Sequence, residues 1–283
     1  MTRPFAEVIG DPVGQSLSPL IHRHWLDALG LAGDYAATHV AANALADHFE
    51  RRRRDPDWRG CNVTIPHKER IIALLDAVDP GAAAIGAVNC VVPGEAGLTG
   101  YNSDVDGVGA ALDATPIEGR SVVLIGAGGA ARAAIVYLAA RHVARLSILV
   151  RDPARAEPLR NLAPQVGIDI LPLDEPVPGV EAAAAIINAS PLGMAGAPAM
   201  PPELLRAIGD GSSGTTLFDM VYKPVETPFL KAGRAGGGQC VDGLIMLVGQ
   251  ARRAFERFFG NAPPVQDADL RDLLVTASGR SSS

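Results

Sequence analysis

Residues Ser121 to Arg141 narrow the possible folds more than any other stretch of this chain. Ser121-Val122-Val123-Leu124-Ile125 is an apolar run of strand length, Gly126-Ala127-Gly128-Gly129-Ala130-Ala131 follows at once, and a helical pattern continues from Arg132 to Arg141. Strand, glycine turn and helix in that order make the G-x-G-x-x-G/A pattern of dinucleotide-binding sheets. Gly126 makes the tight turn, Gly128 lets the backbone approach a pyrophosphate, and Ala131 lets the helix pack closely. Free N–H groups at the helix start face the anion, so Gly126, Ala127, Gly128, Gly129 and Ala130 are candidate cofactor contacts. A bare turn would also use glycines; the flanking strand and helix favour a ligand.

Short β-branched or apolar runs alternate with helical patterns along the whole chain, the signature of parallel strands joined by crossover helices, so the fold class is α/β. Strands are predicted at Ala6–Gly10, Tyr35–Val40, Cys61–Thr64, Ala87–Val92, Val122–Ile125, Ser147–Val150, Ile168–Leu171, Ala185–Asn188, Thr216–Met220 and Gln239–Val241. One helix is predicted over Pro19–Leu29, with Ser18 as N-cap and Gly30 as its stop, and another over Pro66–Val78. A closing helix carries Leu244, Leu247, Val248, Ala251, Phe255 and Phe258 at helical spacing. Breakers at Asp113–Arg120 and Gly236-Gly237-Gly238 mark changes of domain. The division is residues 1–104 plus 241–283 in one domain and 105–240 in a Rossmann-type parallel-sheet domain, with a cleft between them. The tail Ser278–Ser283 reads as disordered, and Arg51-Arg52-Arg53-Arg54 as a solvated helix end.

Composition closes off other classes. The 283 residues are 48% hydrophobic and 20% charged, which excludes a disordered or coiled-coil chain. A net charge of −6 repels a phosphate backbone, so no nucleic-acid partner is expected. Neither a secretory leader nor an apolar run long enough to span a bilayer is evident, which implies no membrane partner and a cytoplasmic location. Cys61, Cys90 and Cys240 are too few and too scattered for a disulfide framework or a zinc site, and no metal is expected. Only Lys68, Lys223 and Lys231 are lysine, against 22 arginines, so a lysine here is a scarce choice.

Four more segments carry polar groups at the carboxyl ends of predicted strands, where open parallel sheets bind ligands. They are Ser16-Leu17-Ser18, Asn62-Val63-Thr64-Ile65-Pro66-His67-Lys68, Gly86-Ala87-Val88-Asn89 and Gly100-Tyr101-Asn102-Ser103-Asp104. With Gly10-Asp11-Pro12-Val13, Gly126–Ala131, Ser190-Pro191-Leu192-Gly193-Met194 and the run from Asp242-Gly243-Leu244 to Gln250-Ala251, they follow the order of the shikimate dehydrogenase family. The chain resembles that family over residues 5–260 or so.

The resemblance implies an N-terminal substrate-binding domain, a Rossmann NADP-binding domain, and interconversion of 3-dehydroshikimate and shikimate in aromatic amino acid and chorismate biosynthesis. It implies a small-molecule substrate and a monomer or homodimer. By position it gives the substrate carboxylate to Ser16 and Ser18, its hydroxyls and ring to Thr64, Asn89 and Gln250, and the reacting oxygen to Lys68 with Asp104. It adds Met220, Tyr222 and Gly243 to the cofactor contacts.

The residues' own chemistry can be read beside this. Hydroxyls at a helix start suit a carboxylate, though Ser18 is equally an N-cap. Hydride transfer to a ketone generates an alkoxide that must be stabilised and protonated, and an ammonium serves both needs. Arginine cannot give up its proton, which sets the scarce Lys68 apart; whether it transfers the proton or only stabilises charge stays open. Asp104 orients that lysine, or caps a helix beginning at Val105. Gln250 lies on the apolar side of its helix, facing the interior or a cleft, or else sits at its surface edge.

Beyond Val150, which cannot accept a ribose hydroxyl, Arg151 and Arg155 could clamp a 2′-phosphate, favouring NADP over NAD. Asp152 between them either binds a ribose hydroxyl or pairs with Arg155. The family commonly has Asn and Thr where this chain has Val150 and Asp152, which keeps NAD open. Two rivals stand: a quinate/shikimate dehydrogenase using NAD or both cofactors, and a catalytically silent ligand sensor of the same fold.

Overall fold

Six strands built around the apolar run at Phe5 open the molecule. The computed structural model describes residues 3–174, 180–265 and 267–279. It divides into two units, one of residues up to Asp106 together with Leu247–Ala277, the other Gly107–Met246.

The first unit contains β1 (Phe5–Gly10), β2 (Asp34–His39), β3 (Trp58–Val63), β4 (Ala77–Val78), β5 (Cys90–Gly94) and β6 (Gly97–Tyr101) in the order β2-β1-β3-β5-β6-β4. Strand β1 is parallel to β2 and β3, as alternation with helices predicts, but β5 runs antiparallel to both β3 and β6. The reason is local: Glu95 and Ala96 alone separate β5 from β6, and so short a connection permits only a hairpin. The sheet is buried on both faces. Ile9, Cys61, Val63 and Val91 pack with Phe49, Trp58 and Ile71, while Ala6, Val8, Tyr35 and Cys90 pack with Ala254 and Phe258.

Three local expectations need correction here. Residues 66–78 are not an α-helix; a 3-10 turn at Arg70–Leu74 gives way to β4, which pairs with β6. That long-range pairing is invisible to helical periodicity. Ser18 is the first residue of the helix Ser18–Ala28 and not its cap, since Leu17 holds the cap position and the Ser18 N–H points to Ser16 Oγ at 3.3 Å. Ser278 and Gly279 belong to the helix Ala268–Gly279, while residues 280–283 lie outside the described residues.

Arg52 is more than a solvated helix end. Its guanidinium grips the fully buried Glu7 of β1 at 2.6 and 2.9 Å, and Thr38 Oγ1 and Trp58 Nε1 donate to the same carboxylate at 2.5 and 3.0 Å. Burial alone would raise the Glu7 pKa; His48, Arg52 and Thr38 overcome it and hold the carboxyl at about 2.

The second unit is a parallel sheet of β7 (Ser121–Ile125), β8 (Arg145–Val150), β9 (Gly167–Pro172), β10 (Ala185–Asn188), β11 (Thr216–Asp219) and β12 (Gln239–Val241). Its order, β12-β11-β10-β7-β8-β9, is that of a doubly wound dinucleotide fold, with a switch point between β7 and β10. Its strands are apolar at successive positions because helices cover both faces. Val122 and Leu124 meet Ala131, Ala134, Ile135 and Leu138 of the helix Gly129–Ala140. Val123 and Ile125 meet Leu204, Ile208, Phe229 and Leu230 on the other face. Each buried Val, Leu, Ile or Phe among these contributes roughly 1.5–3 kcal/mol. Among the described residues no helix is long and apolar enough to cross a membrane, and no cluster of His, Cys, Asp or Glu could hold a metal.

Candidate active site

In the first unit the sheet register brings four chain segments to one edge. Ile9 pairs with Val63, Asn62 with Cys90, and Cys90 with Tyr101. The ends of β1, β3 and β6 and the start of the antiparallel β5 therefore emerge side by side. Ser16 and Ser18 follow β1, Thr64 and Lys68 follow β3, Asn89 precedes β5, and Asp104 follows β6.

Backbone bonds lock these segments together. Thr64 N–H donates to Ile9 O at 2.9 Å, Val88 N–H to Lys68 O at 2.8 Å, and Asn89 N–H to Tyr101 O at 3.0 Å. Asn102 Nδ2 donates to Ala87 O, and Asn102 Oδ1 accepts from the Asp104 N–H, both at 2.9 Å. Asp104 accordingly begins the helix Asp104–Leu112 and does not cap it, and its own N–H is taken up by Asn102.

The side chains converge on the Asp104 carboxylate, which is 1% exposed. Oδ2 accepts from Lys68 Nζ at 2.5 Å and Oδ1 from Asn89 Nδ2 at 2.9 Å. Asn89 is held in turn, its Oδ1 accepting from the Ser103 N–H at 2.8 Å, and its amide reaching Gln250 Oε1 at 3.3 Å. Gln250 thus faces this cluster from the helix Gly243–Phe259. The Lys68 side chain is 17% exposed, so its remaining N–H donors can reach a ligand while the carboxylate behind it fixes their direction. Ser16, Ser18 and Thr64 are half-buried at the same edge and make no side-chain bond to the cluster among the described residues.

The second unit uses backbone instead. Gly126 has φ +109°, and a Cβ there would lie 3.1 Å from the Ala189 backbone and from Ser190 Cβ, so only glycine fits. Gly128 precedes the helix Gly129–Ala140 without a side-chain cap, and a Cβ on it would meet nothing within 4 Å. Ala131 is fully buried against the sheet. A tight floor, an open glycine face and uncapped helix N–H groups together fit a pyrophosphate, with Ala127, Gly129 and Ala130 completing the turn.

At the end of β8, Arg151 and Arg155 are exposed, and neither forms an ion pair among the described residues. Asp152 Oδ1 accepts from the Arg155 backbone N–H at 3.4 Å and so caps the short helix Pro153–Ala156; its bond is to backbone and not to the guanidinium. On the other side of the switch point, a Cβ on Gly243 would come within 2.6 Å of Met220 O, so glycine allows that helix start to meet the end of β11. Tyr222 is half-buried, and burial pushes its phenol pKa up.

Sequence reasoning assigned no role to Asn102 and Ser103, nor to Asn188, Asp219 and Thr227. Asn188 and Asp219 had a signal, since each closes an otherwise apolar strand run; their pairing in the register of β10 and β11 needed the structure.

Residues 8–91 match the family model described as the shikimate dehydrogenase substrate binding domain, and residues 110–192 that of shikimate / quinate 5-dehydrogenase. The chain is 48% identical over 276 residues to a shikimate dehydrogenase (NADP(+)) of Sphingopyxis alaskensis, covering 96% of this chain and 97% of that one. The crystal structure of shikimate 5-dehydrogenase from Thermus thermophilus in complex with NADP(H) and shikimate superposes with a TM-score of 0.82 at 33% identity, over 97% of this chain and 99% of that one. A quinate dehydrogenase from Corynebacterium glutamicum in complex with NAD matches with a TM-score of 0.82 at 29% identity, over 97% and 99%. The switch-point glycine turn and the doubly wound sheet define a dinucleotide-binding oxidoreductase fold. Within that class, the chain belongs to the shikimate dehydrogenase family.

Proposed function

We infer that the protein is an NADP-dependent shikimate dehydrogenase, interconverting 3-dehydroshikimate and shikimate for aromatic amino acid and chorismate biosynthesis in the cytoplasm. The observation that carries this reading is the Lys68–Asp104 pair at 2.5 Å, in a chain that matches curated enzymes of that name end to end. The Gly126–Ala130 turn would hold the pyrophosphate of NADP and Arg151 and Arg155 its 2′-phosphate, and the cofactor would supply the hydride.

The protein's own groups handle the rest. Lys68 Nζ donates to the carbonyl oxygen of 3-dehydroshikimate, stabilises the negative charge that develops there and delivers the proton that makes it a hydroxyl. Asp104 aims that ammonium, and in the direction of oxidation its carboxylate helps draw the hydroxyl proton onto Lys68. Gln250 Nε2 donates to the neighbouring hydroxyls, and Asn89 and Thr64 lie beside them. Ser16 and Ser18 hold the carboxylate at the start of the helix Ser18–Ala28. Met220, Tyr222 and Gly243 line the nicotinamide end.

The test is the initial rate of shikimate and of quinate oxidation by the purified chain with NADP and with NAD. The highest kcat/KM is expected for shikimate with NADP. A preference for quinate with NAD would move the protein to the quinate branch of the family, and binding of shikimate and NADP without turnover would make it a sensor.

A further inference from the structure

We propose that Asp219 is a positioning residue for the nicotinamide half of the cofactor, its buried carboxylate holding the segments after β10 and β11 in the shape that receives it. This rests on the reading of the second unit as the NADP-binding one.

Topology says which half lies where. Ligands of a doubly wound sheet bind outside the carboxyl ends of the strands at the switch point, with the pyrophosphate on the glycine turn and the adenosine ribose at the end of the next strand. Here the turn follows β7 and the ribose end is β8, on one side of the switch point. The other half of a dinucleotide then lies over the ends of β10 and β11. Those ends are Asn188 and Asp219, paired in register and both fully buried.

One carboxylate ties together everything that leaves these strands. Asp219 Oδ1 accepts from Asn188 Nδ2 and from the Val221 N–H, each at 2.9 Å, and Oδ2 accepts from Thr227 Oγ1 at 2.6 Å. Thr227 in turn caps the helix Pro228–Ala235 by accepting from the Leu230 N–H. Asn188 carries the tie onward: its Oδ1 accepts from Ser190 Oγ at 2.7 Å and from the Ser190 N–H at 3.1 Å, and its Nδ2 reaches Leu192 O at 3.1 Å. Between Asp219 and Thr227 lie Met220 and Tyr222.

Stability alone gives little reason for the charge. Asp219 forms no ion pair among the described residues, and burial raises its pKa to about 6 in spite of three donors. An apolar pair at these strand ends would avoid burying a charge, but it would release both loops.

The experiment compares binding of NADPH with binding of adenosine 2′,5′-bisphosphate, the fragment that lacks the nicotinamide half, by titration calorimetry on the full chain. In Asp219→Ala, NADPH binding should weaken by about tenfold or more, because displaced loops lose well-aligned contacts, and kcat should fall with it. Binding of the bisphosphate and the KM for shikimate should stay within about twofold, since neither uses these loops. Asp219→Asn should restore most of the NADPH affinity, because an amide can accept from Asn188 and Val221 and donate to Thr227. Equal weakening of both nucleotides, or none of either, would overturn the proposal. If Asp219→Ala does not fold, Thr227→Val must show the same split. A wild-type chain that binds NADPH but turns over no shikimate would end the functional reading while leaving this binding comparison intact.

Discussion

The two ligand ends of this protein are made of different materials. On the proposed reading, the chemistry in the first unit rests on side chains, Lys68, Asp104, Asn89 and Gln250, each held by a partner at hydrogen-bond distance. In the second, on the same reading, cofactor binding rests on backbone at Gly126–Ala130 and on two exposed arginines that form no ion pair among the described residues. Proton handling needs one group of the right type at one place, so the first end is rigid and depends on residue identity. A pyrophosphate needs only N–H groups and space, so the second end depends on conformation. Substitutions at the first should therefore act on kcat, and those at the second on cofactor affinity.

Gly126→Ala probes that difference most strongly at the backbone end. A non-glycine residue at φ +109° is strained and meets Ala189 and Ser190 at 3.1 Å, so NADP affinity should fall by roughly 10- to 100-fold, as expected for about 1–3 kcal/mol of strain. Shikimate binding should be unchanged; weakening of both would erase the distinction between the ends.

Acid should separate the units as well. His22, buried in the first unit without a hydrogen-bond partner among the described residues and stacked on Tyr35, has its pKa lowered by burial to about 3. The folded state keeps His22 neutral while the unfolded chain takes up a proton. Its stabilisation is thus complete above pH 6.5 and is lost as pH falls toward 3, amounting to about 2 kcal/mol by pH 5. Glu7 acts in the same sense lower down, from 4.5 toward about 2. Asp219, raised by burial to about 6, has the opposite sign: its contribution is fully present below 3.8 and is lost as pH rises through about 6. Both tryptophans, Trp25 and Trp58, lie in the first unit. On acidification their fluorescence should change at a higher pH than the loss of helical circular dichroism, and a single coincident transition would contradict this.

The smallest effect is expected at the exposed arginines. Arg151→Ala with Arg155→Ala should raise the KM for NADP by about tenfold and leave that for NAD unchanged, as removal of a solvated phosphate clamp predicts. Equal loss with both cofactors would sharpen the comparison differently, placing the arginines at the pyrophosphate.

What the sequence disclosed follows the same division. The glycine turn and its flanking strand and helix are contiguous, so pattern alone located them, and the family motif, supported by the scarcity of lysine, pointed to Lys68. Partnerships across distance stayed hidden. The 66–78 segment has helical spacing, yet it is drawn into a sheet by a hairpin some twenty residues away. Arg52 looked like one of four solvated arginines, because nothing local marks Glu7 as its buried partner 45 residues earlier. The Asn188–Asp219 link is likewise made only when two strands align.

The most direct test of the account is turnover in Lys68→Ala, measured as kcat for shikimate oxidation with saturating NADP alongside the dissociation constant for shikimate. If Lys68 manages charge and proton at the reacting oxygen, kcat should fall by about 10²- to 10⁴-fold while shikimate still binds. Turnover within about twofold of the wild type would show that the reaction does not pass through this amine.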